Sequence, residues 1–180
     1  EPGSRALYCS NSINLASSAV AETTGRWLPE LFREWLAMPL GIDRYAFNLS
    51  PAGDGYMGGG LRLTARDQLK FGQMMLDGGL WRGQRVLSEE WVSRSLTPHA
   101  SIHESNDYAL GWWRKTLQAE GRDYDVFYAS GNGGQLIIGL PELDIVVQFS
   151  AGNYMDFRTW SRFLDELVPQ FIIPAVTSAS

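Results

Sequence analysis

Apolar positions recur at helical spacing through the first hundred residues and switch to strand-like runs after about residue 108. Residues 11 to 24 place Ile13, Ala16, Ala19 and Val20 on one helical stripe, and Gly25 follows as a stop. A second helix is predicted from Pro29, burying Leu31, Phe32, Trp35 and Leu36 and breaking at Pro39-Leu40-Gly41. Residues 42 to 60 read as loop and end in Gly58-Gly59-Gly60. Thr64 then caps a helix with Asp67 three residues on; Leu69, Gly72, Met75 and Leu76 form its inner face, and Gly78-Gly79 ends it. Ser88 caps a short helix with Glu89 and Glu90 in its first turn.

Four strands are expected: Tyr108 to Trp113, Val126 to Ser130, Gln135 to Leu140 and Ile145 to Ala151, the last two joined by a turn at 141–144. A closing amphipathic helix from about Arg158 to Val168 would lay Trp160, Phe163, Leu164 and Leu167 on one sheet face. This is an α+β order within one domain: a mainly helical region over 1–100, antiparallel strands and a helix over 101–170, and a tail over 171–180. The run Ile145-Val146-Val147-Gln148-Phe149 has the near-continuous apolar character of a central strand. A sheet of three or four strands backed by one helix would leave an open edge, so a further segment, most economically preceding residues of the same polypeptide, is expected to pair with it or cover its other face.

With 180 residues, 44% hydrophobic, the chain can bury a sizeable core. Its net charge of −5 argues against nucleic acid or an anionic membrane as main partner, since both select a basic face. No apolar run approaches the roughly eighteen residues of a membrane span, and the first residues lack the pattern of a signal peptide. One cysteine precludes an internal disulfide framework. His99 and His103 are spaced for a helix face, but Pro98 and the surrounding serines read as loop, and no metal or organic cofactor is expected.

Two segments could carry chemistry. Tyr8-Cys9-Ser10-Asn11 stands where an extended segment opens onto a helix. A tyrosine beside a lysine ammonium becomes a usable base, because the positive charge favours phenolate. The alternative is a half-buried ring with a satisfied hydroxyl, with Ser10 or Asn11 merely capping the helix. The second segment is Ser130-Gly131-Asn132-Gly133-Gly134-Gln135 between apolar strands, where a free N–H can stabilise an oxyanion. A plain glycine-rich hairpin or bulge is the alternative there. No Ser, Thr or Cys has a lysine three residues on, and neither a G-x-S-x-G elbow, an H-E-x-x-H nor a P-loop occurs. Lys115-Thr116 is followed by Leu117, not glycine, and Lys115 reads as decoration of a strand end.

In order along the chain, YCSNSINLASSAVAETTG, PLGI, GGGLRLTARDQLKFGQMMLDGGLWRGQRVLSEEW, YALGWW and ASGNGGQLIIGLPELDIVVQFSAGN resemble the serine β-lactamase-like family. The likeness is nearest to its family VIII esterase and 6-aminohexanoate-dimer hydrolase branch, alongside class C β-lactamases and D-alanyl-D-alanine peptidases. The resemblance implies a β-lactamase/transpeptidase-like fold, an antiparallel sheet with helices, in a serine hydrolase of the bacterial cytoplasm or periplasm working through an acyl-enzyme. Tyr8-Cys9-Ser10 matches the family's Y-x-S form of its second motif. This implies Tyr8 as proton acceptor from the nucleophilic serine, and Ser10 or Asn11 as hydrogen-bonding groups. Ala129-Ser130-Gly131 matches the third motif, which implies Ser130 and Gly131 as substrate-lining residues and the Asn132 backbone N–H as oxyanion donor.

Two departures shape the expectation. Ala129 replaces the cation or histidine that would anchor a β-lactam carboxylate, which favours esters or small amides. The S-x-x-K motif is absent, so the nucleophile and its lysine are expected in a segment N-terminal to Glu1-Pro2-Gly3, with the chain representing the C-terminal part of one domain, incomplete and inactive alone. The rival readings are a non-catalytic binding homologue and an inactive fragment. Of the adjacent Trp112 and Trp113, one should line the pocket and the other pack, and Trp112 is assigned to substrate. Tyr56 is a candidate for the pocket rim, and Cys9 for a small buried filler.

Overall fold

The computed structural model describes residues 6–103 and 106–178. Glu1-Pro2-Gly3 and the final two residues of the expected tail, Ala179 and Ser180, lie outside the described residues, as does the side chain of His103. In chain order the helices of the first part are α1 (Ser10–Thr24), α2 (Leu28–Phe32), α3 (Ala65–Leu76) and α4 (Glu89–Leu96). Gly25 ends α1 in the left-handed region (φ 63°), with its N–H on the Ala21 carbonyl. Thr64 caps α3 as its spacing predicts: its hydroxyl oxygen accepts from Asp67 N–H (3.1 Å) and its O–H donates to the Asp67 carboxylate (2.6 Å). Ser88 does the same for α4, accepting from Trp91 N–H.

Two inner faces differ from expectation. After α2 the chain widens into a π-helical turn over Arg33–Ala37, which rotates the following residues. Ala37, Leu40 and Ile42 are therefore buried while Trp35 is exposed. In α3, Gly72, Met74 and Met75 are buried, whereas Leu69 is only half-buried.

A two-stranded hairpin, β1 (Leu80–Trp81) and β2 (Gln84–Arg85), precedes the main sheet. That sheet has six strands rather than three or four, paired antiparallel in chain order: β3 (Ala100–His103), β4 (Asn106–Tyr108), β5 (Trp113–Ala119), β6 (Arg122–Gly131), β7 (Gln135–Leu140) and β8 (Ile145–Phe149). The HASIH segment is thus largely strand, not loop. Conversely, residues 109–112 form a turn, with Ala109 N–H on the Trp112 carbonyl and Gly111 at φ 87°, so the strand expected over Tyr108 to Trp113 is not formed: β4 ends at Tyr108 and β5 begins at Trp113. Its polar sequence, WRKTLQA, hid it from a search for apolar runs.

Both faces of the sheet are covered. Tyr124, Val126, Tyr128, Leu136 and Ile138 share one core with Leu164, Val168 and Ile173 of the C-terminal helix. That helix runs as α5 (Phe157–Arg162), a π-helical stretch Phe163–Ile172 and α6 (Ile173–Thr177), so it continues well past residue 170, where a tail was expected. Pro169, which has no N–H to donate, falls within the widened stretch. Phe127 and Trp112 point to the opposite core with Met74, Met75 and Phe32. Here α3 sits close enough that a Cβ on Gly72 would lie 2.5 Å from Val146 and 2.8 Å from Ile137.

Among the described residues β8 pairs with β7 alone. Its apolar continuity comes from cover on both faces. Val146 meets α3, while Ile145, Val147 and Phe149 pack toward the C-terminal helix, Phe149 stacking on Phe163 at 5.3 Å.

Candidate active site

A cavity of about 550 Å³ opens between the start of α1, the cavity-facing side of β5 and β6, the β6–β7 turn and the C-terminal helix. Tyr8, Ser10, Ser130, Gly131 and Asn132 all line it, so the two segments singled out in the sequence converge on one space. Gly58 joins them because its N–H donates to Asn14 Oδ1 (2.7 Å), tying the glycine-rich loop to α1.

Tyr8 lies two residues ahead of α1, before the extended Cys9, with 51% of its surface exposed. Its ring leans on Trp113 (centroids 5.3 Å apart) and meets Tyr108 edge-on at 5.5 Å. Among the described residues its hydroxyl has no hydrogen-bond partner, unlike the satisfied, half-buried ring of the alternative reading. Neither Ser10 nor Asn11 is the cap: that position belongs to Cys9, which makes no side-chain capping bond, and Ser10 is the first helical residue. Cys9 is exposed rather than a buried filler, and hydrogen bonding from the Ser12 backbone holds its thiol below the usual range. Asn11 does not reach the cavity.

The 130–135 turn is tight. Gly133 and Gly134 adopt φ 91° and 90°, and a Cβ on either would fall 2.8 Å from Tyr154 or 2.7 Å from Phe163. Asn132 is pinned by its side chain, whose Oδ1 accepts from Met155 N–H (2.9 Å). Its own backbone N–H lies outside the strand ladder and donates to no protein acceptor among the described residues. A pinned residue with an unspent N–H at a cavity wall is what an oxyanion donor requires.

The tryptophans are reversed from expectation. Trp112 packs edge-on against Phe127 (5.3 Å) in the α3-side core, while Trp113 pairs with Tyr128 across β5–β6 and lines the cavity. The later strand start puts Trp113, not Trp112, on the cavity side. Tyr56 is not part of the lining, which draws instead on Gly58.

Sequence reasoning missed the deeper wall. Lys115, far from being a strand-end decoration, lines the cavity and forms an ion pair with Asp165 of the C-terminal helix (2.7 Å). The Tyr128 hydroxyl donates to Asn106 Oδ1 (3.2 Å); burial, and then the negative charge of Asp165, push its pKa up to about 12, so it stays a neutral donor. Trp113/Lys115 and Tyr128/Ser130 alternate along paired strands, a signal readable only once the β5–β6 register is known. No group of three or more metal-ligating side chains occurs among the described residues.

Residues 1–163 match the model of the Beta-lactamase family. The chain belongs to the β-lactamase family. It is 30% identical over 165 residues, 85% of its length, to the 6-aminohexanoate-dimer hydrolase of Paenarthrobacter ureafaciens. Among solved structures it is similar to a β-lactamase from Mycobacterium bovis (TM-score 0.74, 18% identity, 98% of this chain and 66% of that one). It is also similar to a penicillin binding protein from Bacillus halodurans (TM-score 0.70, 18% identity, 91% of this chain and 56% of that one). The fold is therefore that of β-lactamases and penicillin-binding proteins, and the family is one of hydrolases. This β-lactamase-family chain spans 41% of the length of the hydrolase it matches. No helix among the described residues is long and apolar enough to cross a membrane.

Proposed function

We propose that these residues carry the tyrosine and the oxyanion donor of a serine hydrolase acting on carboxylic esters or small amides. The observation that carries this reading is the convergence of Tyr8, Ser10 and the Ser130–Asn132 turn on one cavity. The nucleophilic serine and its lysine come from a segment outside these 180 residues. Exposed Leu7, Ile13 and Leu15 around the start of α1 support the docking of such a segment there. The similarity to a 6-aminohexanoate-dimer hydrolase supports small amides within the substrate class.

In this mechanism the serine oxygen attacks the substrate carbonyl carbon while its proton passes to Tyr8, made phenolate by the adjacent lysine ammonium. The Asn132 N–H donates to the developing oxyanion. The carbon–oxygen or carbon–nitrogen bond then breaks, and Tyr8 returns the proton to the leaving group. Water then attacks the acyl carbon while giving a proton to Tyr8; the bond to the serine oxygen breaks, Tyr8 passes that proton to the serine, and the acid is released. Ser10, at the first turn of α1, hydrogen-bonds the lysine or the substrate.

The test is p-nitrophenyl butyrate turnover by the complete protein. Tyr8→Phe is expected to lower kcat by about 10²- to 10⁴-fold. Unchanged turnover in that variant removes Tyr8 from the mechanism, and a folded complete protein that neither turns over esters nor reacts with a fluorophosphonate supports a non-catalytic binding homologue instead. Labelling of the 180-residue chain alone by the fluorophosphonate would contradict the placement of the nucleophile outside it.

A further inference from the structure

Of the side chains that line the cavity among the described residues, only Lys115 and Asp165 carry charge besides the Tyr8 phenolate of the proposed mechanism. They come from opposite walls, β5 and the C-terminal helix, and close on each other at 2.7 Å. Lys115 is the more enclosed partner, with 19% of its side chain exposed against 43% for Asp165. The remaining polar groups of that wall are neutral, since Tyr128 is a phenol engaged with Asn106. The walls between are apolar, from Trp113, Leu136, Phe157 and Leu164.

A carboxylate entering such a space needs a cation. The Lys115 ammonium is already neutralised, as the lysine of the proposed mechanism is by the Tyr8 phenolate, and the carboxylate that neutralises Lys115 repels a second anion at short range. We propose that the Lys115–Asp165 pair sets substrate charge, making the cavity select uncharged acyl or leaving groups over carboxylate-bearing ones, with Asp165 the specificity-determining residue. Removing its charge releases Lys115 as a ready carboxylate anchor, so the selectivity is reversible by one isosteric substitution. This rests on the hydrolase reading above for its kinetic consequence, though not for its binding consequence.

Two readouts on the complete protein at low ionic strength separate the two claims. In the first, kcat/KM is compared for p-nitrophenyl butyrate and for the mono-p-nitrophenyl ester of glutaric acid, which carries a carboxylate on its acyl chain. Asp165→Asn is expected to raise the anionic-to-neutral ratio by about tenfold or more, mainly through KM of the anionic ester. In the second, calorimetric titration compares phenylacetamide with phenylacetate. The native protein should favour the amide, and Asp165→Asn should shift the preference toward the anion by a similar factor. Adding Lys115→Gln to Asp165→Asn should abolish both gains, which a merely structural role for Asp165 would not produce. A binding shift without ester turnover would sink the hydrolase reading and leave the charge-selection role standing. An unchanged ligand preference in Asp165→Asn, no binding of either ligand to it, or a gain that survives Lys115→Gln would overturn the role itself.

Discussion

The two walls of the cavity are built in opposite ways. The sheet wall, β5 to β7, is clamped between two cores; Val126, Ile138 and Val168 are wholly buried, and Trp113, Tyr128 and the 130–135 turn inherit that rigidity. Among the described residues the α1 wall is thin: fifteen residues of helix bury Ser17 alone, Tyr8 is held by ring contacts, and the Gly58–Asn14 hydrogen bond ties α1 to the loop. Oxyanion stabilisation depends on fixed geometry, whereas a proton shuttle can settle when its partners arrive. In the mechanism proposed above, the rigid wall takes the first role and the adjustable wall the second.

The contrast breaks most visibly in the sheet. Ile138→Ala should cost about 2–5 kcal/mol, read as a lower denaturation midpoint at unchanged slope; a loss well below 1 kcal/mol would show that the sheet wall is not the stable half. A comparable effect should appear with pH. Because the Tyr128 pKa is raised in the folded state, its contribution is complete below the ordinary tyrosine value near 10 and is lost as pH rises through about 12. Alkaline titration should remove roughly 2–3 kcal/mol over that window, and Tyr128→Phe should flatten this part of the stability curve.

A smaller and more local effect belongs to the α1 wall. Asn14→Ala removes the acceptor for Gly58 N–H and should cost about 1 kcal/mol. Amide exchange should quicken in α1 while β6 and β7 stay protected; uniform acceleration of both would mean that the walls are one cooperative unit. The smallest effect is expected at the α3 cap. Burial tends to raise the Asp67 carboxyl, but hydrogen bonds from Lys70 and Thr64 outweigh it and hold the group below the ordinary value. Its contribution is present above the unfolded pKa and fades as pH falls through the folded one. Thr64→Ala should shrink that acid dependence by under about 1 kcal/mol and leave both cavity walls intact.

What could be read from the sequence was what is local. The Thr64–Asp67 cap, the Gly25 stop and the β7–β8 turn each sit within a few residues and appeared as expected. The Tyr8 and Ser130 segments were identified from their order among family-like segments, not from their own chemistry. What escaped was non-local or a matter of register. Lys115 and Asp165 are fifty residues apart, and nothing in either neighbourhood announces the other. The strand expected over Tyr108 to Trp113 is a turn between β4 and β5, which leaves Trp113, the first residue of β5, as the cavity-facing tryptophan. Trp35 was misplaced for a related reason, because a single widened turn displaces every later residue from the face that a regular helix would give it.

The spatial order of the six strands is also their order in the chain, which bears on how the molecule assembles. Every ladder of the sheet is a hairpin closed by a short connection. One joins β5 to β6 through Glu120 and Gly121, both at positive φ (51° and 73°), the twist that a two-residue turn needs to bring strands together. Each pairing then costs little chain entropy, and β5 to β8 can zip one neighbour at a time. Longer-range steps follow, such as the docking of α3, whose Gly72 must meet Val146 across more than seventy residues of chain, and of Tyr8 against Trp113. These dockings should be slower than the closing of the hairpins.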